Sequence, residues 1–264
     1  ARGLDALNYA CYQDSRFMLI GTPSGITLAP EGGAHQSVNT PLIGIGQPGL
    51  TYFEPAYVDE LAIIMRWSFE YMQLPKGGSV YLRLSTRPID QLSRTMDIHL
   101  SKQVISGAYW KKTPKTGAEL AIVYCGAVAP EAEAAYDELS EEIPGLGLLA
   151  VTSPDRLHSD WLAAKRARRG ERPEASAEIE QILLRLAPDA GLITVIDGHP
   201  ATLSWLGAVS GHRVYPLGVE AFGQSGDIND LYKYYGLDTE AILEAAARAS
   251  LRRLSSSNRV FRAV

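Results

Sequence analysis

Cysteine is scarce in this chain: Cys11 and Cys125 are the two among 264 residues. They lie far apart in apolar surroundings, which argues against a disulfide framework or a thiolate metal site and predicts two buried, reduced thiols. Long hydrophobic runs are missing as well. No segment approaches the roughly 20 apolar residues that cross a bilayer, and no signal peptide opens the chain, so the cytoplasm is the expected location. There is no basic stripe. With 25 Lys and Arg against 30 Asp and Glu, the formal net charge is -5, which disfavours nucleic acid or an anionic membrane as a main partner. The usual catalytic signatures are also absent. The chain carries no phosphate-cradling Walker loop, no G-x-S-x-G elbow, no H-E-x-x-H and no paired C-x-x-C. Neither a repeat period nor a low-complexity tract is found.

What remains is ordinary globular composition, 46% hydrophobic and 21% charged, sized for one large domain or two modest ones. Residues 3–13 have helical apolar spacing, and Arg16 to Gly21 reads as a buried strand ended by glycine. A Gly-rich loop follows, then a short apolar run from Ile43 to Gly49 leading to Leu50-Thr51-Tyr52-Phe53. Glu54 to Phe69 reads as an amphipathic helix, with proline near its start, acids in its first turns and apolar Leu61, Ile64, Met65 and Phe69. Ser79 to Leu84 is a strand. This alternation favours a parallel α/β sheet covered on both faces.

Pro88 to Gly117 reads as a connector, with an exposed linker at Trp110 to Gly117. A second alternation follows: strand Glu119–Gly126, helix Pro130–Ile143, strand Leu146–Thr152 and Ser153 as a helix N-cap. Lys165 to Glu174 reads as a solvated loop. Strands are expected at Gly191–Gly198 and Val214–Val219, and Asp238 caps a final helix, Thr239–Leu251. The fold class is therefore α/β: two parallel or mixed sheet units with helices on both faces, divided at 1–95, a 96–117 linker and 118–264. The opening Ala1-Arg2-Gly3-Leu4-Asp5-Ala6-Leu7 has no Met and reads as the inside of a helix, so the chain is expected to be part of a longer polypeptide.

The segment richest in chemistry is Thr27-Leu28-Ala29-Pro30-Glu31-Gly32-Gly33-Ala34-His35-Gln36. Its two glycines permit positive φ or a close approach to a ligand, and an imidazole is the side chain suited to proton transfer near neutral pH. Spacing alone also allows a plain turn with a solvated histidine. His99 and His158 read as ordinary surface or helix positions. His199 follows a strand end in Asp197-Gly198-His199-Pro200, where α/β sheets face ligand crevices. Glu220 to Tyr232 combines two glycines with several side-chain acceptors ahead of a helix, with Asp227 or Asn229 as cap; a structural turn explains it.

The loop from Thr27 to His35 resembles the Gly-Glu-Gly…His loop of homodimeric pyruvate dehydrogenase decarboxylating subunits, and also the Gly-Pro-Thr-His-Gln loop of transketolases. Phe53-Glu54-Pro55-Ala56-Tyr57-Val58-Asp59-Glu60-Leu61-Ala62-Ile63-Ile64-Met65 is similar to the dehydrogenase pattern Asp-Pro-Ala-Tyr-x-x-Glu-x-Ala-x-Ile-Met, which transketolases lack. Phe222-Gly223-Gln224-Ser225, followed by Asp230-Leu231-Tyr232 and Tyr235-Gly236-Leu237, resembles the C-terminal signature shared across the superfamily. The resemblance covers nearly the whole chain.

It implies a thiamine-diphosphate-dependent pyruvate (2-oxoacid) dehydrogenase that decarboxylates its substrate and passes the acyl group to lipoyl groups of an acyltransferase partner. It implies a homodimer, with thiamine diphosphate and Mg2+ held between subunits. The chain would supply the later part of the pyrimidine-binding domain and a transketolase C-terminal-like domain. His35 would be the active-centre histidine, close to cofactor and substrate, and Glu31 would contact or order the same site. Two departures stand out. No Gly-Asp-Gly motif with a downstream Asn occurs, and the family's pyrimidine-activating glutamate has no counterpart here. Residues 1–264 alone are therefore expected to bind no cofactor tightly and to be inactive. The alternatives are a transketolase moving two-carbon ketol units between sugar phosphates, with Arg87 as a phosphate ligand or merely an ion-pair partner, and a non-catalytic dimerisation or regulatory module.

Overall fold

The computed structural model describes residues 2–170 and 172–260. Helix α1 (Arg2–Tyr12) leads to β1 (Met18–Gly21), and α2 (Thr40–Gly46) to β2 (Leu50–Phe53). Helix α3 (Val58–Tyr71) then connects to β3 (Ser79–Arg83). These strands form a parallel sheet in the order β1-β3-β2. Next come α4 (Ile98–Ser106), β4 (Ala108–Lys112), β5 (Ala118–Cys125), α5 (Ala129–Glu142), β6 (Gly147–Val151), α6 (Pro154–Arg168), α7 (Glu178–Leu183) and β7 (Leu186–Ile196). The chain continues through α8 (Ala201–Ser204), α9 (Gly207–Ser210), β8 (Arg213–Leu217), α10 (Ile228–Tyr235) and α11 (Thr239–Val260). The second sheet has the order β4-β6-β5-β7-β8, parallel except for β4, which runs antiparallel to β6. The expected α/β class and its two alternations are present.

Burial explains the continuous apolar runs. In β5, Leu120, Ile122 and Tyr124 enter one core, while Ala121, Val123 and Cys125 enter another on the opposite face. A strand alternates sides with period two, so covering both faces demands apolar residues at every position. The first core is continuous across the molecule. Ile26, Phe53 and Leu82 of the first unit belong to the same cluster as Leu120, Ile122 and the α11 residues Ile242 and Ala245. Both thiols are free and buried, as expected, and burial pushes both above their ordinary value.

Several expectations change. The 96–117 stretch holds α4, capped by the Asp97 carboxylate on the Leu100 N–H at 2.8 Å, and β4, with Ala108 and Tyr109 buried. Lys111 and Lys112 gave β4 the composition of a linker, but the Lys111 ammonium is largely buried, pairing with Glu133 and donating to Tyr57 OH at 2.9 Å. Within Lys165–Glu174, α6 continues to Arg168, whose guanidinium forks onto Glu180 at 2.8 and 2.7 Å. Thr40–Gly46 is helical, and Phe69 is 55% exposed although its spacing put it on the buried face of α3. The capping expectations match: Ser153, Asp227 and Asp238 accept from Arg156, Asn229 and Ala241 N–H groups.

The outer edge of β2 is sealed by the second unit. Glu54 N–H donates to the Thr152 carbonyl at 2.8 Å, and Tyr52 N–H to the Asp155 carboxylate at 3.2 Å. Burial pushes Asp155 from its ordinary 3.8 to about 6, against the Tyr52 and Ser159 hydrogen bonds and the nearby Arg156 charge that favour the charged form. The folded-state value lies above the unfolded one. The stabilisation from this group is therefore complete below about pH 4 and is lost as pH rises through about 6. Asp155→Asn is expected to flatten the stability profile across that window by at most roughly 3 kcal/mol. Urea midpoints measured at both ends of the window check this; parallel profiles for the two proteins contradict it.

Candidate functional site

The C-terminal ends of parallel strands from both sheets converge, the place where α/β proteins expose ligand crevices. Glu54 follows β2, Arg83 ends β3 and Asp197 follows β7. All three are buried, at 2%, 1% and 1% exposure. Arg83 Nη1 donates to Glu54, and its Nη2 to the Asp197 carbonyl at 2.7 Å. Tyr52 OH donates to Glu54, and Tyr232 OH to Asp197 Oδ2 at 3.2 Å. Desolvation pushes both carboxyl groups upward, with Arg83 opposing the rise. Burial works most strongly against the Arg83 charge, but Glu54, Tyr52, Asp197 and Tyr81 together outweigh it and raise the guanidinium above its ordinary value. A buried charge needs such partners to be tolerated at all.

This network grips both feet of the Thr27–Gln36 loop. On one side, Asp197 Oδ1 accepts from Ile26 N–H at 2.8 Å. Gly25 makes that approach possible: it has φ +61°, and a Cβ there would sit 2.3 Å from Asp197 Oδ1. On the other side, Arg83 donates from Nη2 to the Ser37 carbonyl at 3.3 Å and from Nε to Thr40 Oγ1 at 3.0 Å.

The span between the feet lies on the segment Phe222–Gly226. Gly33 N–H donates to the Gly223 carbonyl, and Gly226 N–H to the Ala29 carbonyl, both at 3.1 Å. Gln36 Nε2 reaches the Gln224 carbonyl at 2.9 Å, and Ser225 Oγ reaches the Glu31 carbonyl at 3.2 Å. Gly32 takes φ +62°, and a Cβ there would meet the Ser225 nitrogen at 2.4 Å. The positive φ expected of the loop's glycines is therefore used for close docking. The two segments singled out in the sequence thus touch across nearly two hundred residues.

Glu31 and His35 stand together on the outer side of the loop. His35 Nδ1 lies 3.9 Å from Glu31 Oε2, with the two side chains 74% and 61% exposed. The pair presents an imidazole and a carboxylate outward, over a buried base hydrogen-bonded at both feet. This arrangement suits proton exchange with a group arriving from outside.

The other candidates fall out differently. His199 joins the base of the loop, its N–H donating to the Val38 carbonyl at 3.0 Å, while its Nδ1 accepts from Ala201 N–H at 3.2 Å. His99 is exposed. His158 packs edge-on against Trp205 with ring centres 4.9 Å apart, and burial lowers it. Arg87 forks onto Glu131 at 2.8 and 2.6 Å, donates to the Ala127 carbonyl at 3.1 Å and lies over the Tyr232 ring. Its donors are engaged within the fold, which leaves it poorly placed as a phosphate ligand. Among the described residues no group of three or more His, Cys, Asp or Glu side chains is placed to hold a metal. Glu54, Arg83 and Asp197 went unnoticed as a set, although Glu54 and Asp197 each directly follow an apolar strand, which was the available signal.

No family model matches the chain. A pyruvate dehydrogenase E1 component from Mycolicibacterium smegmatis is 24% identical over 262 residues, covering 94% of this chain and 27% of that protein. A putative transketolase C-terminal section from Methanocaldococcus jannaschii is 21% identical, covering 89% of this chain and 66% of that protein. The crystal structure of a transketolase mutant from Pichia stipitis superposes with a TM-score of 0.73 at 18% identity, covering 95% of this chain and 32% of that one. The chain spans about a quarter of the length of the pyruvate dehydrogenase relatives, 27% in each case. The resemblance holds: the chain has the transketolase fold and is similar in sequence to pyruvate dehydrogenase E1 components and transketolase sections.

Proposed function

We propose that this chain forms one wall of the active centre of a thiamine-diphosphate-dependent 2-oxoacid dehydrogenase of the pyruvate dehydrogenase type. The observation that carries the reading is the His35–Glu31 pair, 3.9 Å apart and outward-facing on a loop held at both feet. In this reading His35 exchanges a proton with the reacting group, and Glu31 orients the imidazole. The Pro55-Ala56-Tyr57 segment, with the Glu60 carboxylate accepting from the Ala56 and Tyr57 N–H groups at 2.9 and 3.2 Å, favours the dehydrogenase branch. The engagement of Arg87 by Glu131 weakens the sugar-phosphate alternative.

The residues present do not fit the diphosphate or its magnesium ion. There is no Gly-Asp-Gly motif, and no ligand cluster among the described residues. Thiamine diphosphate would supply the carbanion chemistry, and the groups that hold it belong to polypeptide other than residues 1–264. The reading carries with it a homodimer, a lipoyl acyltransferase as acceptor, and a division in which residues up to about 95 belong to the pyrimidine-binding domain and 118–264 to the C-terminal-like domain. The edge of β1, where Leu19 and Ile20 are exposed on the outer strand of the first sheet, supports docking against further polypeptide.

The polypeptide as encoded, given thiamine diphosphate and magnesium, is expected to decarboxylate pyruvate in the presence of an electron acceptor. Ketol transfer between sugar phosphates in its place overturns the dehydrogenase reading. Absence of both reactions leaves the non-catalytic module.

A further inference from the structure

Away from the His35 loop, at the opposite end of β2, a cavity of about 430 Å³ opens between the α2–β2 turn, the C-terminal end of α3 and the first turns of α6. Gln47, Thr51, Tyr71, Asp155, Arg156 and Ser159 are among its lining residues. Arg156 distinguishes the place. Its guanidinium stacks 4.6 Å over the Trp67 ring, and Trp67 in turn stacks on Tyr71 with ring centres 4.5 Å apart. Elsewhere buried or half-buried guanidinium groups meet carboxylates, as at Arg83, Arg87, Arg94 and Arg168. Arg156 bonds to none: Asp155 and Asp160 lie near enough to favour its charge, but among the described residues no hydrogen bond or ion pair satisfies its side chain, and its Nε is fully buried.

A guanidinium N–H withdrawn from water with no acceptor, as at Nε of this half-buried side chain, is unfavourable unless something supplies one. The acid beside it is committed elsewhere. Asp155 Oδ2 accepts from Tyr52 N–H and Oδ1 from Ser159 Oγ, both at 3.2 Å. Asp160, on the same helix, accepts from Glu178 N–H at 2.8 Å. The Tyr71 hydroxyl, which accepts from Thr51 Oγ1 at 3.4 Å, lines the same cavity and keeps its own proton to donate. A planar fork held over an indole, in a cavity that also presents a hydroxyl donor, is the chemistry that recognises a carboxylate or a phosphate group.

We propose that this cavity is an oxyanion-binding site anchored by Arg156, separate from the His35 loop and independent of the reaction assigned to that loop. Sulfate, as the tetrahedral probe, and acetate, as the carboxylate probe, are titrated against chloride at constant ionic strength. Binding is read by calorimetry and by the Arg156 Nε–H resonance. At least one probe is expected to saturate and to shift that resonance. Arg156→Met is expected to weaken its binding at least tenfold, and Arg156→Lys, which keeps the charge and loses the fork, to weaken it less. Arg66→Met, at an exposed position of α3, leaves it unchanged. The probe that saturates at the lower concentration identifies the ligand as phosphate-like or carboxylate-like. If Arg156→Met does not fold, the lysine variant and the Nε–H resonance decide the matter. Linear response to both probes, or equal binding by the Arg156 variants and the parent, overturns the proposal.

Discussion

Replacing Arg83 with Met is expected to lower folding stability by about 3–5 kcal/mol, the range for removing one partner of a buried ion pair. Arg83 is the single cation between two buried carboxyl groups. Its loss leaves Glu54 without a counter-charge, and takes the Arg83 donor from the Asp197 carbonyl and Thr40 Oγ1, while the Ser37 carbonyl keeps its bond from Thr40 Oγ1. Solvent has little access to replace it, because Glu54, Arg83 and Asp197 are buried together with Tyr52 beside them.

The variant also has a pH signature. Burial already raises Glu54, and without the guanidinium the rise grows. The penalty is then present while Glu54 is ionised and relaxes as pH falls through its raised value, so Arg83→Met is least harmful in acid. The double variant Glu54→Gln, Arg83→Met is expected to recover part of the loss, since removing both charges removes the desolvation problem. Urea denaturation at pH 5.5 and pH 8 measures all three proteins. A loss below about 1 kcal/mol for Arg83→Met contradicts the assigned role, because that is the worth of a surface pair.

His35→Ala is expected to act in the opposite way, on turnover and not on stability. Removing a general acid or base typically lowers kcat by about 10²–10⁴-fold. The side chain is 74% exposed, and exposed substitutions usually move stability by no more than about 0.5 kcal/mol. Pyruvate decarboxylation by the complete enzyme and a thermal melt therefore separate the two effects. Glu31→Gln keeps the shape and removes the charge; its loss of turnover should be smaller, since Glu31 acts through His35. Unchanged kcat in His35→Ala removes this residue from the mechanism.

These two residues show what could and could not be read in advance. The His35 loop was legible because glycines, an acid and an imidazole within ten residues are rare, and because the loop resembles a known one. Arg83 was not legible. A lone arginine at the end of Ser79-Val80-Tyr81-Leu82-Arg83 looks like a strand's solvated terminus, and its partners lie 29 and 114 residues away. For the same reason β4 passed as a linker: Lys111 is buried against Glu133, 22 residues away, a partner that only the fold brings beside it. Phe69 erred in the other direction, an apolar residue at helical spacing that no neighbouring element covers.

Local sequence by itself determined the α/β alternation, the helix caps at Ser153, Asp227 and Asp238, and the buried thiols. Periodicity, capping and the cost of breaking apolar runs act over a few residues, so they are written in short stretches. Tertiary structure alone decided that Thr27–Gln36 rests on Phe222–Gly226, that Arg87 belongs to Glu131, and that Arg156 is left without a bonded carboxylate. Charge pairing and close backbone contact depend on which strand ends the fold brings together. That juxtaposition is a property of the two sheets meeting at a common core, and no single segment carries it.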